Sequence, residues 1–498
     1  LDAYKIEVEV DIVNSLPSVS IVGLPDAAVN EAKERVRSAI KNSSFSFPQK
    51  KVVVNLAPAD IKKEGTNFDL PIAVGILIEE GTIQEEKTQD VAFIGELSLD
   101  GTLRSINGVL PHVLGLKKAG VKTVIVPKEN AKEASLANGI TVLSANNLNE
   151  VVNHFIDTPL EIVHTNVDEY LAKGIEEDYL YDFKDVKGQQ KAKKALEIAA
   201  AGGHNMIMVG TPGSGKTLMA KCFASILPPL ELSEALELTK IYSVSGLLTN
   251  NEPLMVKRPF RAVHHTASAN GIIGGGTNPK PGEITLAHRG VLFLDEIVEF
   301  PRNVLEVLRQ PLEDGEVVIS RAKHSIKYPA DFMLLAAMNP CPCGYLGDKE
   351  KHCTCTEYQI NRYRAKLSGP LLDRIDIQID VPRLTTEELL NTNSNAESSA
   401  EIRKRVINAR KIQKERYKNT GNLTNSQLTA DMVKKYCQID NASKEILKLA
   451  VAKYQLSGRR YDRVLKLSRT IADLDNSEII TTKHITQALQ YRFSEQMN

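Results

Sequence analysis

Apolar and polar positions follow two different patterns in the first part of the chain. Tyr4 to Ile12 alternates between apolar and polar residues, as a strand with one buried face does. Val19 to Val22, Lys51 to Leu56 and Val121 to Pro127 are further strand candidates, whereas Asp26 to Ser43 has the spacing of an amphipathic helix. This mixture predicts an α+β or α/β domain.

Longer apolar runs that end in polar residues characterise the middle of the chain. Ile207 to Val209, Val291 to Leu294 and Phe332 to Met338 predict buried strands, because parallel strands covered on both faces are apolar throughout. Gln190 to Ala201 and Asn303 to Glu313 predict helices between them. An alternation of strands and helices of this kind is typical of a parallel α/β sheet.

The pattern divides the chain into four regions. The first is the mixed domain, the second is irregular and acidic like a linker, the third is the α/β core, and the fourth is helical and highly charged. We place them at 1–160, 161–180, 181–384 and 385–498.

The residues after the first buried run form the pattern G-x-x-x-x-G-K-[ST]. They are Gly210, Thr211, Pro212, Gly213, Ser214, Gly215, Lys216 and Thr217. Leu218 to Ile226 predicts the helix that a phosphate-binding loop requires. In that context backbone N–H groups surround the phosphates, Lys216 reaches the β- and γ-phosphates, and the Thr217 hydroxyl ligates Mg²⁺. The pattern predicts ATP binding.

Two acids follow the second buried run, about eighty residues downstream of the phosphate loop. The carboxyl end of a parallel strand faces the nucleotide in such a sheet, so Asp295 is expected to hold Mg²⁺ and Glu296 to orient and deprotonate a water. Together the two motifs predict a P-loop ATPase.

Four of the six cysteines lie within fifteen residues, in the pattern C-x-C-x9-C-x-C. They are Cys341, Cys343, Cys353 and Cys355. Four thiols this close in a reducing compartment predict a structural, tetrahedral Zn²⁺ site. Free thiols and a redox pair are the alternatives, although the segment lacks the C-x-x-C spacing of redox motifs.

Charge and hydropathy leave the partner open. Lys plus Arg and Asp plus Glu both total 62, so a nucleic-acid contact has to come from a local patch. No apolar run approaches the ~18–20 residues that cross a bilayer, and no signal-peptide pattern opens the chain, so we expect a cytoplasmic protein without a membrane partner. Because the chain starts at Leu1 rather than Met, we expect the natural N-terminus to lie upstream.

Three stretches of the first domain are similar to a known bacterial family. They read IVGLPDAAVNEAKERVRSAI, VNLAPADIKKEGTNFDLPIAVGIL and FIGELSLDGTLRSINGVLPHVLGLKKAG. These stretches resemble the N-terminal domain of the ComM/YifB proteins, which are magnesium-chelatase-related AAA+ ATPases. The resemblance implies an α/β fold, namely a P-loop AAA+ module with a helical lid, preceded by an α+β domain related to the Lon protease.

The Lon relationship raises the question of peptide hydrolysis, which needs an activated nucleophile and a base. By the resemblance, Asn67 stands where Lon has its serine and Leu110 where Lon has its lysine. Thr66 with Lys62 or Lys63 is the alternative pair. We expect a non-proteolytic binding or assembly module.

The resemblance also adds residues to the ATP site. In AAA+ proteins, a similar segment before a helix borders the adenine base. The matching residues here are Val186, Gly188 and Gln189. The alternative is a helix start that binds no ligand. Asn339, at the end of the third buried run, matches the polar residue that positions the attacking water.

Two arginines match positions that sense nucleotide in related ATPases. Gly369 to Asp376 resembles a pattern whose arginine, here Arg374, reaches the neighbouring subunit's nucleotide; pairing with Asp373 or Asp376 is the alternative. Arg459 matches the lid arginine, with Arg463 as a less favoured substitute and a solvated helix start as the alternative.

Two loops are expected to face the pore of a ring. Arg258 to Glu283 is rich in glycine and proline and predicts a long irregular loop, in which His264 and His265 are ordinary loop or interface residues rather than a metal site. Glu316 to Ser320 and Ser325 to Tyr328 predict a hairpin with a basic tip. The resemblance implies that this tip lines the pore and grips DNA phosphates. The tip residues are Arg321, Lys323 and His324; a merely solvated basic turn is the alternative.

The resemblance extends from Leu1 to about Tyr491 and implies a function. Members of this family are hexameric ATP-dependent motors that move branched DNA in recombination and natural transformation. We therefore expect a homo-hexamer that uses ATP, Mg²⁺ and Zn²⁺ and acts as a helicase or translocase on single-stranded or branched DNA. The alternative is a magnesium-chelatase-type ATPase subunit that acts with a protein partner.

Overall fold

The computed structural model describes residues 3–176, 179–249, 251–276, 280–320, 325–385, 387–388, 396–421 and 424–492. The chain folds as two compact units. The first comprises Leu1–Gly174 and Glu231–Val256, and the second comprises Ile175–Leu230 and Lys257–Asn498. None of the helices in the described ranges is long and apolar enough to cross a membrane.

The strands in chain order are β1 (Glu7–Val13), β2 (Ser18–Val22), β3 (Lys51–Ala57), β4 (Val91–Phe93), β5 (Glu96–Leu97), β6 (Leu103–Arg104), β7 (Thr123–Pro127), β8 (Thr141–Ala145), β9 (Glu161–Ile162), β10 (Met206–Gly210), β11 (Phe260–Val263), β12 (Gly274–Gly275), β13 (Lys280–Pro281), β14 (Val291–Leu294), β15 (Glu316–Ser320), β16 (Ser325–Pro329), β17 (Met333–Met338) and β18 (Ile377–Val381).

The α-helices in chain order are α1 (Ala27–Asn42), α2 (Asp69–Glu79), α3 (Val109–Lys118), α4 (Ala131–Ala134), α5 (Leu148–Ile156), α6 (Val167–Glu176), α7 (Gln190–Gly202), α8 (Lys216–Phe223), α9 (Leu232–Val244), α10 (Ala269–Ile273), α11 (Glu283–Leu286), α12 (Arg302–Val307), α13 (Pro311–Asp314), α14 (Glu357–Arg364), α15 (Gly369–Leu372), α16 (Ser399–Tyr417), α17 (Ala430–Tyr436), α18 (Asn441–Tyr454), α19 (Gly458–Leu474) and α20 (Thr482–Arg492).

The first unit confirms the predicted mixture of strands and helices. One sheet has the order β1-β3-β2, another has the order β4-β7-β8-β9, and β5 pairs with β6. Helix α1 begins where predicted, because the Asp26 carboxylate accepts the backbone N–H of Val29 at 2.8 Å and so satisfies one free donor of the first turn. The apolar faces of α1, α2 and β3 form the core of this unit.

A segment from the middle of the chain belongs to the first unit. Helix α9 packs on α3, and the Ser243 hydroxyl donates to the buried carboxylate of Glu133. The same Glu133 carboxylate accepts the N–H of Leu110 at 2.9 Å, and burial raises its pKa. The chain therefore leaves the second unit after Leu230 and returns to it at Lys257.

The second unit is built on a five-stranded sheet of order β11-β14-β17-β10-β18. All of its neighbouring strands are parallel. The strands β10, β14 and β17 are buried along their whole length, as the uniform apolar runs predicted. Because the strands are parallel, their carboxyl ends lie along one edge of the sheet.

The helices after β18 pack on α7 and on one another. A buried polar network joins them around Asp473, whose side chain is fully buried. Its carboxylate accepts hydrogen bonds from Arg416, from Arg469 and from the side-chain amide of Asn425 at 2.6–3.1 Å. Two cations and one amide thus satisfy a single charge that burial would otherwise make costly.

The fold differs from the predicted elements in three places. Residues 258–283 are not one irregular loop, because Phe260–Val263 forms the edge strand β11 and a short helix and two short strands follow it. The segment interpreted as a linker contains β9 and α6. The predicted helix over 303–313 is broken in two before Pro311, which cannot supply the N–H that a continuous helix needs.

Replacement of Asp473 tests the buried network. We expect Asp473→Ala to lower the free energy of unfolding of the second unit by about 3–5 kcal/mol, because the buried Arg469 loses the carboxylate that balances its charge. The measurement is urea-induced unfolding, with Glu415→Ala as the control, since that exposed carboxylate pairs only with Lys418 on the surface. Equal stability of the two variants would contradict the role assigned to Asp473.

Candidate ATP-hydrolysis site and cysteine cluster

The phosphate loop connects the carboxyl end of β10 to the start of α8. Gly213 and Gly215 have φ angles of +79° and +91°, a conformation that L side chains rarely adopt, so glycine is needed at both positions. Helix α8 begins at Lys216, which leaves its first N–H groups free to point toward an anion. The loop therefore has the form that its sequence pattern predicted.

The Lys216 ammonium is held inside the loop. It donates to the carbonyl oxygens of Gly210 and Thr211 at 2.7 and 2.9 Å, and its side chain is largely buried. Burial lowers the pKa of Lys216 to about 8, although the carboxylates of Asp295 and Glu296 act in the opposite direction. A phosphate group at this position would supply the negative charge that the buried ammonium lacks.

Thr217 and Asp295 meet at the edge of the sheet. The Thr217 hydroxyl donates to Asp295 Oδ2 at 2.7 Å, although their sequence positions are 78 residues apart. A hydroxyl and a carboxylate in contact are oxygen ligands of the kind that Mg²⁺ takes together with nucleotide phosphates. These two residues therefore fit the predicted magnesium site.

Glu296 follows directly and has a strained backbone. Its φ of 50° and ψ of 47° lie in the left-handed region, where a residue other than glycine is uncommon. Its carboxylate oxygen lies 4.0 Å from Nδ1 of His265, which is attached just beyond the end of β11. No pattern in the sequence connects His265 with Glu296, because β11 itself was not predicted.

Asn339, at the end of β17, faces the phosphate loop. Its Oδ1 lies 3.4 Å from Lys216 Nζ, and the Thr217–Asp295 hydrogen bond adds the end of β14, so polar residues that follow β10, β14 and β17 lie at one edge of the sheet. The backbone N–H of Asn339 acts to lower the pKa of the phenol of Tyr363, a residue that is only 7% exposed, so the two groups lie near each other. Burial raises the pKa of Tyr363, and the carboxylates of Glu299 and Glu296 act in the same direction. Sequence analysis missed Tyr363, which lies outside every motif.

The four clustered cysteines come together immediately after Asn339. Their sulfur atoms all lie within 4.8 Å of one another, and three of the pairs are 3.4–3.6 Å apart. Tetrahedral Zn–S bonds of 2.3 Å place sulfurs about 3.8 Å apart, so the spacing fits one zinc ion. Although burial acts to raise it, backbone N–H groups of Tyr345 and Thr354 lower the pKa of Cys343 to about 6, toward the thiolate that a metal requires.

The cysteine segment also packs against the phosphate loop. A Cβ added to Gly344 would lie 2.8 Å from ring carbons of Pro212, so only glycine allows this approach. Helix α14, which carries Tyr363, begins two residues after Cys355. The segment thus links Asn339, the phosphate loop and Tyr363.

The predicted adenine-side residues lie beside the phosphate loop. Val186 is buried, and Gly188 and Gln189 have φ angles of +55° and +54°. The Gln189 side-chain amide donates to the carbonyl of Pro382 at 2.7 Å and lies 3.4 Å from that of Ser214. Gln189 therefore connects the loop to the end of β18.

Arg374 and Arg459 both approach Glu313. Arg374 forms an ion pair with Glu313 Oε2 and donates to the carbonyl of Pro370, whereas Arg459 Nη2 lies 3.9 Å from Glu313 Oε1. Within the described part of the chain, no hydrogen bond or ion pair joins Arg374 to its own phosphate loop. The Arg459 side chain is 82% exposed.

The two acids beside Arg374 have other partners. Arg460 pairs with Asp373 at 2.9 Å, and Arg463 pairs with Asp376. Although burial acts to raise it, the Arg463 charge holds the pKa of Asp376 below its usual range. The alternative interpretation, in which Arg374 pairs with Asp373 or Asp376, therefore does not hold in the structure. Arg463 is the arginine that pairs with Asp376.

Strands β15 and β16 form the predicted hairpin, with Ser320 opposite Ser325. Its tip, including Arg321, Lys323 and His324, lies outside the described residues.

The alternative to the Lon dyad, Thr66 with Lys62 or Lys63, lacks the contacts of a nucleophile and its base. Thr66 donates to the carboxylate of Glu96. Lys62 pairs with Glu64, and the buried Lys63 donates to the carbonyl of Pro58. Within the described residues, neither lysine contacts the Thr66 hydroxyl, whose partner is the Glu96 carboxylate instead of the amine that a Lon-type dyad requires.

Three family models match this chain. The model described as magnesium chelatase, subunit ChlI, matches residues 182–389, which contain the ATP site and the cysteines. The model described as subunit ChlI of Mg-chelatase matches residues 8–130, and the model described as magnesium chelatase, subunit ChlI C-terminal, matches residues 396–492.

Similar proteins cover almost the whole chain. Competence protein ComM of Haemophilus influenzae is 44% identical over 495 residues, which are 99% of this chain and 95% of that protein. The protein YifB of Escherichia coli is 41% identical over the same shares. The magnesium-chelatase 38 kDa subunit of Rhodobacter capsulatus is 25% identical over 185 residues, 34% of this chain and 53% of that subunit.

Removal of one cysteine tests the metal site and its link to the phosphate loop. If the cluster binds zinc as its spacing predicts, Cys353→Ser should lower the zinc content and lower the ATP turnover rate about 10–100-fold, because the segment next to Pro212 and Asn339 would lose its cross-link. Metal content and ATPase rate are measured on the same samples. Cys222→Ala is the control, since this buried thiol lies outside the cluster. A metal-free wild-type protein, or a variant that retains the wild-type rate, would contradict this assignment.

Proposed function

This chain belongs to the ComM/YifB family of magnesium-chelatase-related AAA+ ATPases, and we propose that it is an ATP-dependent motor that acts on DNA. In the proposal it is a hexameric branch-migration helicase of recombination and natural transformation. The single observation that carries the ATPase part is the convergence of Lys216, Thr217, Asp295 and Asn339 at one edge of the sheet. The competence protein among its relatives supports the DNA part.

Each polar residue at this edge of the five-stranded sheet has a distinct role in the proposed ATP hydrolysis. The phosphate loop binds the phosphates through its N–H groups and Lys216, while Thr217 and Asp295 hold Mg²⁺, which when bound neutralises phosphate charge. Glu296 accepts a proton from the attacking water, and Asn339 positions that water. The buried Tyr363, whose phenol lies near the backbone N–H of Asn339, helps to hold the end of β17 in place.

The proposed ring completes each site with an arginine from the next subunit. The contact of Arg374 with Glu313, rather than with its own phosphate loop, supports action on a neighbour. An arginine that reaches the γ-phosphate stabilises the charge of the transition state and accelerates hydrolysis by about 10³–10⁵-fold in related enzymes. Arg459, exposed on the lid, is the second arginine proposed to sense nucleotide.

DNA is proposed to pass the tip of the β15–β16 hairpin. Cations at such a tip bind phosphates without reading the base sequence, which suits a motor that has to move along any strand. The first unit is proposed to be a Lon-related module that does not cleave peptides. The contact of Thr66 with Glu96 supports that part of the proposal.

A second candidate function is that of a magnesium-chelatase-type subunit. The three family models that describe magnesium chelatase favour it. In that case hydrolysis would respond to a protein partner or a porphyrin rather than to DNA.

The test is the ATPase rate with and without single-stranded or four-way-junction DNA. We expect DNA to raise the wild-type rate and Glu296→Gln to lower hydrolysis about 10²–10⁴-fold, because the general base is lost. Hydrolysis by the Arg321→Ala/Lys323→Ala variant should no longer respond to DNA.

The matched control is Lys327→Ala, which removes a cation from the same hairpin but one that already pairs with Glu316. Its response to DNA should equal that of the wild type. A wild-type rate that is indifferent to DNA but rises with a porphyrin or a protein partner would replace the motor with the chelatase candidate.

A further inference from the structure

A cavity of about 190 Å³ opens on the first unit, and none of its lining residues belongs to the candidate ATP site. It lies between the start of β2, the middle of α1 and the segment that precedes β3. Three cationic side chains line it, those of Lys33, Arg37 and Lys50. Glu34 is the one carboxylate in its lining.

These three cations lack acidic partners. Across the described residues, no ion pair or side-chain hydrogen bond engages Lys33, Arg37 or Lys50. Some other exposed lysines of the same unit do pair with carboxylates, as Lys122 does with Asp90 and Lys173 with Glu169. Three like charges around one concave surface repel one another, and a bound anion would relieve that repulsion.

The cationic surface continues beyond the cavity. Lys33, Arg37 and Lys41 are spaced four residues apart on α1, so they follow one face of the helix at intervals of about 6 Å. A single small anion would occupy the cavity only. A ridge of cations that extends out of a cationic cavity is instead matched to a chain of phosphates.

The other walls suit the remainder of a nucleotide. The Arg37 guanidinium lies 5.8 Å from the centre of the Phe47 ring, a contact that holds the cation in place. Val19 and Pro48 add apolar surface next to the charges. Apolar walls beside cations accept sugar and base surfaces without reading the sequence.

From these observations we propose that Lys33, Arg37 and Lys50, continued by Lys41, form a second nucleic-acid site, which binds the phosphate backbone of a single strand. The choice of DNA as the polymer rests on the proposed function. In this proposal the first unit binds DNA in addition to the hairpin tip of the second unit. Two binding sites on one chain give a higher affinity for a long strand than either site gives alone.

The test is fluorescence anisotropy with a labelled thymidine oligonucleotide, on the full chain with a non-hydrolysable ATP analogue, from about 50 to about 200 mM NaCl. We expect Lys33→Ala/Arg37→Ala to weaken binding about tenfold at the lowest salt concentration. The slope of log K against log salt should fall by about 1.4, or about 0.7 for each phosphate contact removed.

Two further variants distinguish the loss of a phosphate contact from an effect on net charge or on folding. Lys122→Ala/Lys173→Ala also removes two positive charges from the first unit, but both are neutralised by carboxylates in the structure, and it should keep the wild-type affinity and slope. Lys50→Ala lies outside α1, so its weaker binding cannot come from loss of that helix; the slope should fall by about 0.7.

Competition identifies the source of the phosphate. Unlabelled oligonucleotide should displace the probe, whereas inorganic phosphate at the same phosphate concentration should not. Displacement by inorganic phosphate would overturn the assignment to a polymer.

The remaining outcomes separate this site from the proposed function. If DNA stimulates the wild-type ATPase but Lys33→Ala/Arg37→Ala binds with the affinity and slope of the paired-lysine control, the motor stands and this site is overturned. If the wild type neither binds DNA nor responds to it, both are overturned.

Discussion

The hydrogen bond between Thr217 and Asp295 is the contact on which the rest of the site depends. It joins the loop after β10 to the end of β14, two strands that are separated in the sheet by β17. Asn339 ends that middle strand and lies within reach of Lys216, so three strand ends share one polar cluster. The parallel direction of the strands is what makes this possible, because it brings all the carboxyl ends to one edge.

The cysteine segment gives this edge a second support. It begins two residues after Asn339, approaches the phosphate loop at Pro212 through Gly344, and ends before the helix that carries Tyr363. A metal cross-link is well suited to such a position, since the segment itself contains little regular structure to hold it. The proposed zinc would therefore have a structural role, although it would lie close to the ATP-hydrolysis site.

Local motifs predicted those parts of the site whose residues lie close together in the sequence. The phosphate loop, the two acids after β14 and the four cysteines are each fixed by spacing within one segment, and the structure brings them together as expected. The buried strands were equally predictable from their apolar runs. Tyr363, His265 and Glu313 were not, because each acquires its partner only through tertiary packing.

The same limit applies to the fold. Strand β11 was missed because Arg261 interrupts its short apolar pattern, and no local pattern could show that α9 packs on the first unit.

The proposed function requires that Arg374 of a neighbouring subunit completes each ATPase site. Mixing Glu296→Gln with Arg374→Ala tests it most directly, since each variant retains what the other lacks. Equal amounts of two nearly inactive variants should recover about a quarter of the wild-type ATPase rate, because one interface in four combines both intact residues. A mixture no faster than the average of the two variants would contradict the claim.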